Sequence, residues 1–122
     1  FSFLCSTIEE FKPDLIIGSS MGGYSAFILG ALYKIPILAF NPALHSRPIE
    51  PAFPKFVKKH FPDEFTVVLG EKDTVIEPNK TLDWLKDHVK DKWVKSDIQS
   101  VKTMGHRVPL TDFIDMYNKI VK

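Results

Sequence analysis

Apolar and polar positions alternate along the chain in two patterns. Short, almost wholly apolar runs are separated by longer stretches in which apolar residues recur every three or four positions. The first pattern is typical of strands buried in a parallel sheet, and the second is typical of helices that cover such a sheet. Apolar runs predict strands at residues 14–19, 36–41 and 65–70, and the mostly polar residues 97–103 give a weaker signal for a fourth strand. The predicted helices are residues 2–11, 21–34, 79–93 and 109–122.

This alternation predicts an α/β fold, with a three-layer, open, mostly parallel sheet flanked by helices. Strand 14–19 is apolar without alternation, so it is expected to be buried on both faces. With 122 residues, the chain forms one domain at most. The proline-rich residues 42–62 are interpreted as an excursion between strands that covers a pocket, and their phenylalanines favour an apolar ligand group.

Composition narrows the classes of function. Sixteen basic and 15 acidic residues give a formal net charge of +1. This is not the large positive charge that is typical of proteins that bind nucleic acid, so no nucleic-acid partner is expected. No apolar stretch approaches the roughly 18 residues of a membrane span, so no membrane partner is expected. Cys5 is the single cysteine, which favours a reducing compartment and a cytoplasmic location. The four histidines and Cys5 show no ligand spacing, so no metal is expected.

The sequence Gly-Ser-Ser-Met-Gly at residues 18–22 joins the first strand to the following helix. This spacing predicts a tight turn with Ser20 at its apex, in which side chains at Gly18 and Gly22 would collide. The turn lifts the serine hydroxyl clear of the sheet, and the Met21 N–H, at the start of a helix, is suited to stabilise an oxyanion. The alternative is a packing or phosphate-binding turn, but the patterns GxxxxGK and GxGxxG are absent from it.

A nucleophilic serine needs a histidine to take its proton and a carboxylate to orient that histidine. Asp73 follows the third predicted strand and His106 follows the fourth. Because the carboxyl ends of parallel strands meet at one edge of a sheet, we expect both side chains to lie near Ser20.

Other residues compete for these roles. Glu71 is a second candidate acid, but Asp73 stands deeper in the loop and precedes an apolar pair that would anchor the turn. Without Ser20, this loop would be interpreted as an ordinary solvated turn. Among the histidines, His106 alone follows a core strand, whereas His45 lies in the proline-rich excursion and could line a pocket.

The order Ser20, Asp73, His106 resembles the nucleophile, acid, base order of the α/β-hydrolase superfamily. IIGSSMGGYSAF is similar to its nucleophile elbow, LGEKDTVIEP to its acid loop and MGHRVPL to its histidine loop. FNPAL, together with the elbow, resembles more narrowly the small bacterial YqiA-like esterases. The resemblance implies a hydrolase of small esters or thioesters that needs no cofactor. In it, Ser20 is the nucleophile, His106 the general base and Asp73 its orienting acid, with one oxyanion donor at Met21.

One departure from the family concerns the first strand. In the superfamily further strands precede the elbow, and a loop after one of them supplies a second oxyanion N–H, usually marked by an HG pair that this sequence lacks. We therefore expect the chain to be the C-terminal part of a longer protein. A missing N-terminal segment or a second copy would cover the edge of strand 14–19. The alternative function is a non-catalytic interaction domain that uses this edge and the phenylalanines of residues 42–62.

Overall fold

A computed structural model describes residues 2–45, 62–89 and 95–121, so most of the predicted excursion lies outside the described residues. The described helices and strands follow one another in the predicted order, although the fourth strand begins and ends two residues before its predicted bounds. In chain order they are α1 (Ser2–Phe11), β1 (Ile16–Ser19), α2 (Met21–Tyr33), β2 (Ile37–Phe40), β3 (Glu64–Gly70), α3 (Pro78–His88), β4 (Lys95–Val101) and α4 (Leu110–Val121). Across these ranges, no helix is both long enough and apolar enough to cross a membrane.

The described strands form one sheet in the order β1-β2-β3-β4, and every neighbouring pair is parallel. The register aligns Ser19 with Phe40 and Phe40 with Val68, while Gly70 is aligned with Val101. All four strands therefore end at the same edge of the sheet, and the loops that leave them share that edge. The predicted parallel α/β sheet is confirmed.

The side chains of β2 show how the core divides into two clusters. Ile37 and Ala39 pack with residues of α2, β3 and α3, whereas Leu38 and Phe40 pack with Val68 and residues of α4 and the loop before it. Successive side chains of a strand point to opposite faces, so helices cover both faces of the sheet. This arrangement gives the three layers predicted from the sequence.

Strand β1 differs from its prediction. Its residues Ile16, Ile17 and Gly18 are only half-buried and Ser19 is exposed, so burial on both faces is wrong for the described chain. The physical reason is that β1 pairs only with β2 among the described strands. An apolar run shows that the side chains of a strand are apolar. Whether they are buried also depends on whether other strands pair with both of its edges.

Candidate active site

Ser20 lies between β1 and α2. Its backbone conformation, φ 57° and ψ −118°, is rare for any residue other than glycine. Its own N–H donates to the Phe40 carbonyl at 3.0 Å. Its carbonyl accepts the N–H groups of Gly23, Tyr24 and Ala43 at 3.0, 3.2 and 2.9 Å. A positive φ at a residue other than glycine costs of order 1–3 kcal/mol, and these four hydrogen bonds hold the chain there.

The Ser20 side chain makes no capping hydrogen bond, although Ser20 is the N-cap residue of α2. Serine is among the residues preferred at this position because its oxygen commonly accepts an N–H of the first turn. Met21 is the first residue of α2, where backbone N–H groups have no partner within the helix. The elbow therefore combines a hydroxyl that does not cap its helix with the positive end of a helix dipole.

The two elbow glycines have different environments. A β-carbon at Gly18 would overlap the Gly22 carbonyl oxygen and lie 2.8 Å from the Gly23 nitrogen. Among the described residues, and apart from the adjoining residues of its own helix, no heavy atom lies within 4 Å of a β-carbon at Gly22. The predicted collision is therefore correct at Gly18 and wrong at Gly22, because the turn closes on the backbone of residue 22 and leaves its α-carbon facing open space.

Asp73 is a buried carboxylate, 4% exposed, on the loop after β3. Its Oδ1 accepts the N–H groups of Val75 and Ile76 at 2.8 and 2.9 Å, and its Oδ2 lies 2.9 Å from His106 Nδ1. Of the apolar pair expected to anchor this turn, Ile76 is buried and Val75 is exposed. Glu71, the competing acid, is exposed. The structure therefore brings Asp73 and His106 together.

The loop that carries His106 packs against the end of β3. The Lys72 N–H donates to the Met104 carbonyl at 3.0 Å, and Met104 is fully buried. A β-carbon at Gly70 would overlap the Met104 carbonyl oxygen, so the two backbones are in direct contact. This close packing brings the acid loop and the histidine loop next to each other.

Asn41 contacts both loops, and the sequence reasoning assigned it no role. It follows β2 directly and is fully buried. Its Nδ2 donates to the carbonyls of Gly105 and His106 at 3.0 and 3.2 Å, and its Oδ1 accepts the Gly70 N–H at 2.8 Å. The signals in the sequence are its place directly after a buried strand and before a proline, and its membership of the motif FNPAL.

Residues from the elbow strand and from the histidine loop line a common cavity of about 550 Å³. Its lining residues are Ile17, Gly18, Ser19, Phe40, His106, Arg107, Val108 and Phe113. The rings of Phe40 and Phe113 stack in its wall, with their centroids 5.7 Å apart. The lining is mostly apolar, and it includes His106 but not Ser20.

The other histidines lie elsewhere. His45 Nδ1 is 3.4 Å from Thr81 Oγ1 of α3, and His45 does not line the common cavity. His88 stacks on Trp84, while His60 lies outside the described residues. Over residues 2–45, 62–89 and 95–121, no group of three or more His, Cys, Asp or Glu side chains could hold a metal ion.

Residues 2–56 match the uncharacterised protein family UPF0227. The match covers fewer than half of the 122 residues and includes the elbow and Asn41, but neither Asp73 nor His106. No curated protein sequence matches the chain.

Several solved structures with a similar fold carry the names of hydrolases. One is a predicted CIB-like hydrolase from Thermoplasma acidophilum, with a TM-score of 0.70 and 19% identity over 98% of this chain and 56% of that one. The monoacylglycerol lipase of Paleococcus ferrophilus has a TM-score of 0.67 and 16% identity over 98% of this chain and 71% of that one. Acyl-protein thioesterase 2 of Zea mays has a TM-score of 0.57 and 14% identity over 86% of this chain and 53% of that one. The chain thus spans only part of each, and these likenesses confirm the α/β-hydrolase fold.

Proposed function

We propose that this chain, which has the α/β-hydrolase fold, carries the catalytic residues of a serine hydrolase that cleaves small carboxylic esters or thioesters. The observation that carries the proposal is the 2.9 Å contact between Asp73 Oδ2 and His106 Nδ1, at the sheet edge where Ser20 follows β1. Ser20 has the strained conformation of an elbow, and its side chain does not cap α2. These features support the roles of nucleophile, base and acid.

The contacts of Asp73 support a general-base role for His106. An ionised carboxylate can only accept hydrogen bonds, and Oδ1 already accepts two backbone N–H groups. Nδ1 of His106 is then the donor to Oδ2, which leaves Nε2 as the unprotonated nitrogen. Nε2 removes the hydroxyl proton as Ser20 Oγ attacks the carbonyl carbon of the substrate, and Asp73 stabilises the resulting imidazolium.

The position of Met21 supports oxyanion stabilisation. As Oγ adds to the carbonyl, its oxygen becomes an oxyanion, which accepts the Met21 N–H at the positive end of α2. The tetrahedral intermediate then collapses: the bond to the leaving oxygen or sulfur breaks, and His106 delivers its proton to that atom. The product is an acyl ester of Ser20. Water, deprotonated by His106, attacks this ester; the bond between the acyl carbon and Oγ then breaks, His106 returns the proton to Oγ, and the carboxylic acid is released.

The apolar cavity supports a small apolar group on the substrate. Stacked Phe40 and Phe113 lie in its wall with Ile17 and Val108, next to His106. Burial of such a group is favoured by about 25 cal/mol per Å² of apolar surface. Two of the similar structures are a monoacylglycerol lipase and an acyl-protein thioesterase, and their names favour hydrolysis of an ester or thioester here.

The proposal is tested by labelling with a fluorophosphonate probe, which reacts with activated serines. The experiment uses this chain and any longer product of the same coding region, and peptide mapping identifies the labelled residue. We expect label at Ser20, loss of label in Ser20→Ala, and retained label in the matched control Ser25→Ala on the same helix. If every product is folded and none is labelled, the hydrolase proposal is wrong, and the interaction-domain alternative becomes the one to test by light scattering.

A further inference from the structure

We propose that Asn41 is a positioning residue that sets the location of His106 relative to Ser20. This inference rests on the proposed function, because the location of His106 matters to catalysis only if His106 acts on Ser20. Asn41 is not proposed to touch substrate. It acts through the backbone of the histidine loop.

The backbone of Asn41 is fixed at the end of β2. Its N–H donates to the Val68 carbonyl at 2.9 Å, which extends the hydrogen-bond pattern between β2 and β3 by one residue. Its φ is 44°, in the left-handed region that asparagine tolerates better than most residues. Pro42 follows and is also buried. The backbone from which the Asn41 side chain extends is therefore held firmly at the end of β2.

The buried side chain has its hydrogen-bonding capacity matched by backbone groups of two loops. Nδ2 has two hydrogens and faces two carbonyls, those of Gly105 and His106, at 3.0 and 3.2 Å. Oδ1 faces the Gly70 N–H at 2.8 Å. The opposite amide orientation would place the NH₂ against the Gly70 N–H and the oxygen against two carbonyls. The contacts thus determine the orientation and join β2, β3 and the histidine loop at one point.

His106 is consequently held at both of its ends. Asp73 Oδ2 binds its ring nitrogen, and Asn41 Nδ2 binds its backbone carbonyl. Its side chain is 31% exposed and it belongs to neither β4 nor α4, so regular secondary structure does not position it. The Lys72–Met104 hydrogen bond holds the loop two residues earlier, and Asn41 adds the anchor at the backbone of Gly105 and His106 themselves.

The chain around Asn41 also holds the serine elbow. The Phe40 carbonyl accepts the Ser20 N–H at 3.0 Å, and the Ala43 N–H donates to the Ser20 carbonyl at 2.9 Å. The main chain of residues 40–43 thus holds Ser20, while the side chain of Asn41 holds His106. One rigid segment therefore determines the separation of the proposed nucleophile and base. A misplacement of about 1 Å at such a pair can cost on the order of 100-fold in rate.

The test uses two variants. Asn41→Asp keeps the shape of the side chain and the acceptor for the Gly70 N–H, but it turns an oxygen toward the two loop carbonyls. Asn41→Gly suits the positive φ and removes the amide. Phe65→Leu is the control, because Phe65 is buried near the opposite end of β3 and should reduce stability without moving the loop.

Three quantities are measured for each variant: the melting temperature, the rate of fluorophosphonate labelling at Ser20 as a function of pH, and the downfield NMR resonance of the proton between Asp73 and His106. We expect both Asn41 variants to fold and to lose about 100-fold in labelling rate, with a shifted pH midpoint and a shifted or lost resonance. Phe65→Leu should lower the melting temperature alone.

Three outcomes would overturn the proposal. One is labelling of the folded variants at the wild-type rate with an unchanged resonance. A second is a loss of labelling in Phe65→Leu that matches the loss in the Asn41 variants. A third is failure of both Asn41 variants to fold, which would assign Asn41 to stability. If the wild-type protein is not labelled, the proposed function fails separately, and the resonance alone then decides whether Asn41 positions His106.

Discussion

Gly70 lies directly against the backbone of Met104, so that a β-carbon at position 70 would overlap the Met104 carbonyl oxygen and lie 2.6 Å from that of Gly105. Gly70 ends β3, and Met104 belongs to the loop that carries His106. The contact is between backbones, so no side-chain rotation can relieve an added methyl group. The glycine therefore allows the histidine loop to approach the acid loop.

Gly70→Ala is accordingly expected to displace the histidine loop. We predict a loss of about 1–3 kcal/mol in the free energy of unfolding and a large loss of labelling at Ser20. Gly105→Ala is the matched control for stability, because the nearest atom to its β-carbon within the described part of the chain is the Lys72 carbonyl oxygen, at 3.8 Å. Urea unfolding measures both variants. Equal stabilities for the two would contradict the role of the contact.

The two elbow glycines provide a second comparison. Gly18→Ala would force the turn open, because its β-carbon overlaps the Gly22 carbonyl oxygen, and we expect it to unfold the elbow. Gly22→Ala places its methyl group in open space within α2, where alanine is favoured over glycine by about 1 kcal/mol. Thermal unfolding should therefore show a lower melting temperature for Gly18→Ala and an unchanged or higher one for Gly22→Ala. A comparable destabilisation by both substitutions would mean that position 22 also requires glycine.

The fold could be predicted from the sequence because the signals for its elements are local. Apolar runs predict β1, β2 and β3, and the helical stretches that follow strands predict a mostly parallel sheet, although not its strand order. Asp73 and His106 could be singled out as candidates because each follows a strand, and parallel strands bring their carboxyl ends to one edge. Their contact at 2.9 Å agrees with that placement.

Tertiary contacts limited the remaining predictions. The burial of β1 depends on how many strands pair with it, which its own residues do not report. The role of Asn41 depends on contacts with residues 64 and 65 positions away. Gly22 fits the same local pattern as Gly18, yet only the path of the turn distinguishes a crowded glycine from an open one.

The hydrogen bond between Asp73 and His106 leads to a prediction about the acid. Asp73→Asn keeps the size of the side chain but places an uncharged amide beside His106 Nδ1, which no longer favours the tautomer with a proton on that atom. In serine proteases, the same change lowers turnover by about 10⁴-fold, and we expect a loss of similar order in ester hydrolysis here.

Glu71→Gln is the matched control, because Glu71 lies on the same loop and is exposed. It should retain wild-type turnover of a short-chain nitrophenyl ester under the same conditions. A larger loss in Glu71→Gln than in Asp73→Asn would reverse the assignment of the acid. Equal turnover in the wild type, Asp73→Asn and Glu71→Gln would show that neither carboxylate takes part in catalysis.

The strained backbone of Ser20 leads to the prediction that replacing this serine raises the stability of the protein while abolishing its activity. Ser20 has φ 57°, which glycine adopts readily and serine adopts at a cost. Ser20→Gly should therefore raise the free energy of unfolding by about 1 kcal/mol while abolishing labelling and ester hydrolysis. Ser25→Gly, within α2, should instead lower it by roughly 0.5–1 kcal/mol. Urea unfolding measures the change in the free energy of unfolding for both variants, and the two changes should have opposite signs. A loss of stability in Ser20→Gly would show that the serine side chain contributes more than its backbone conformation costs.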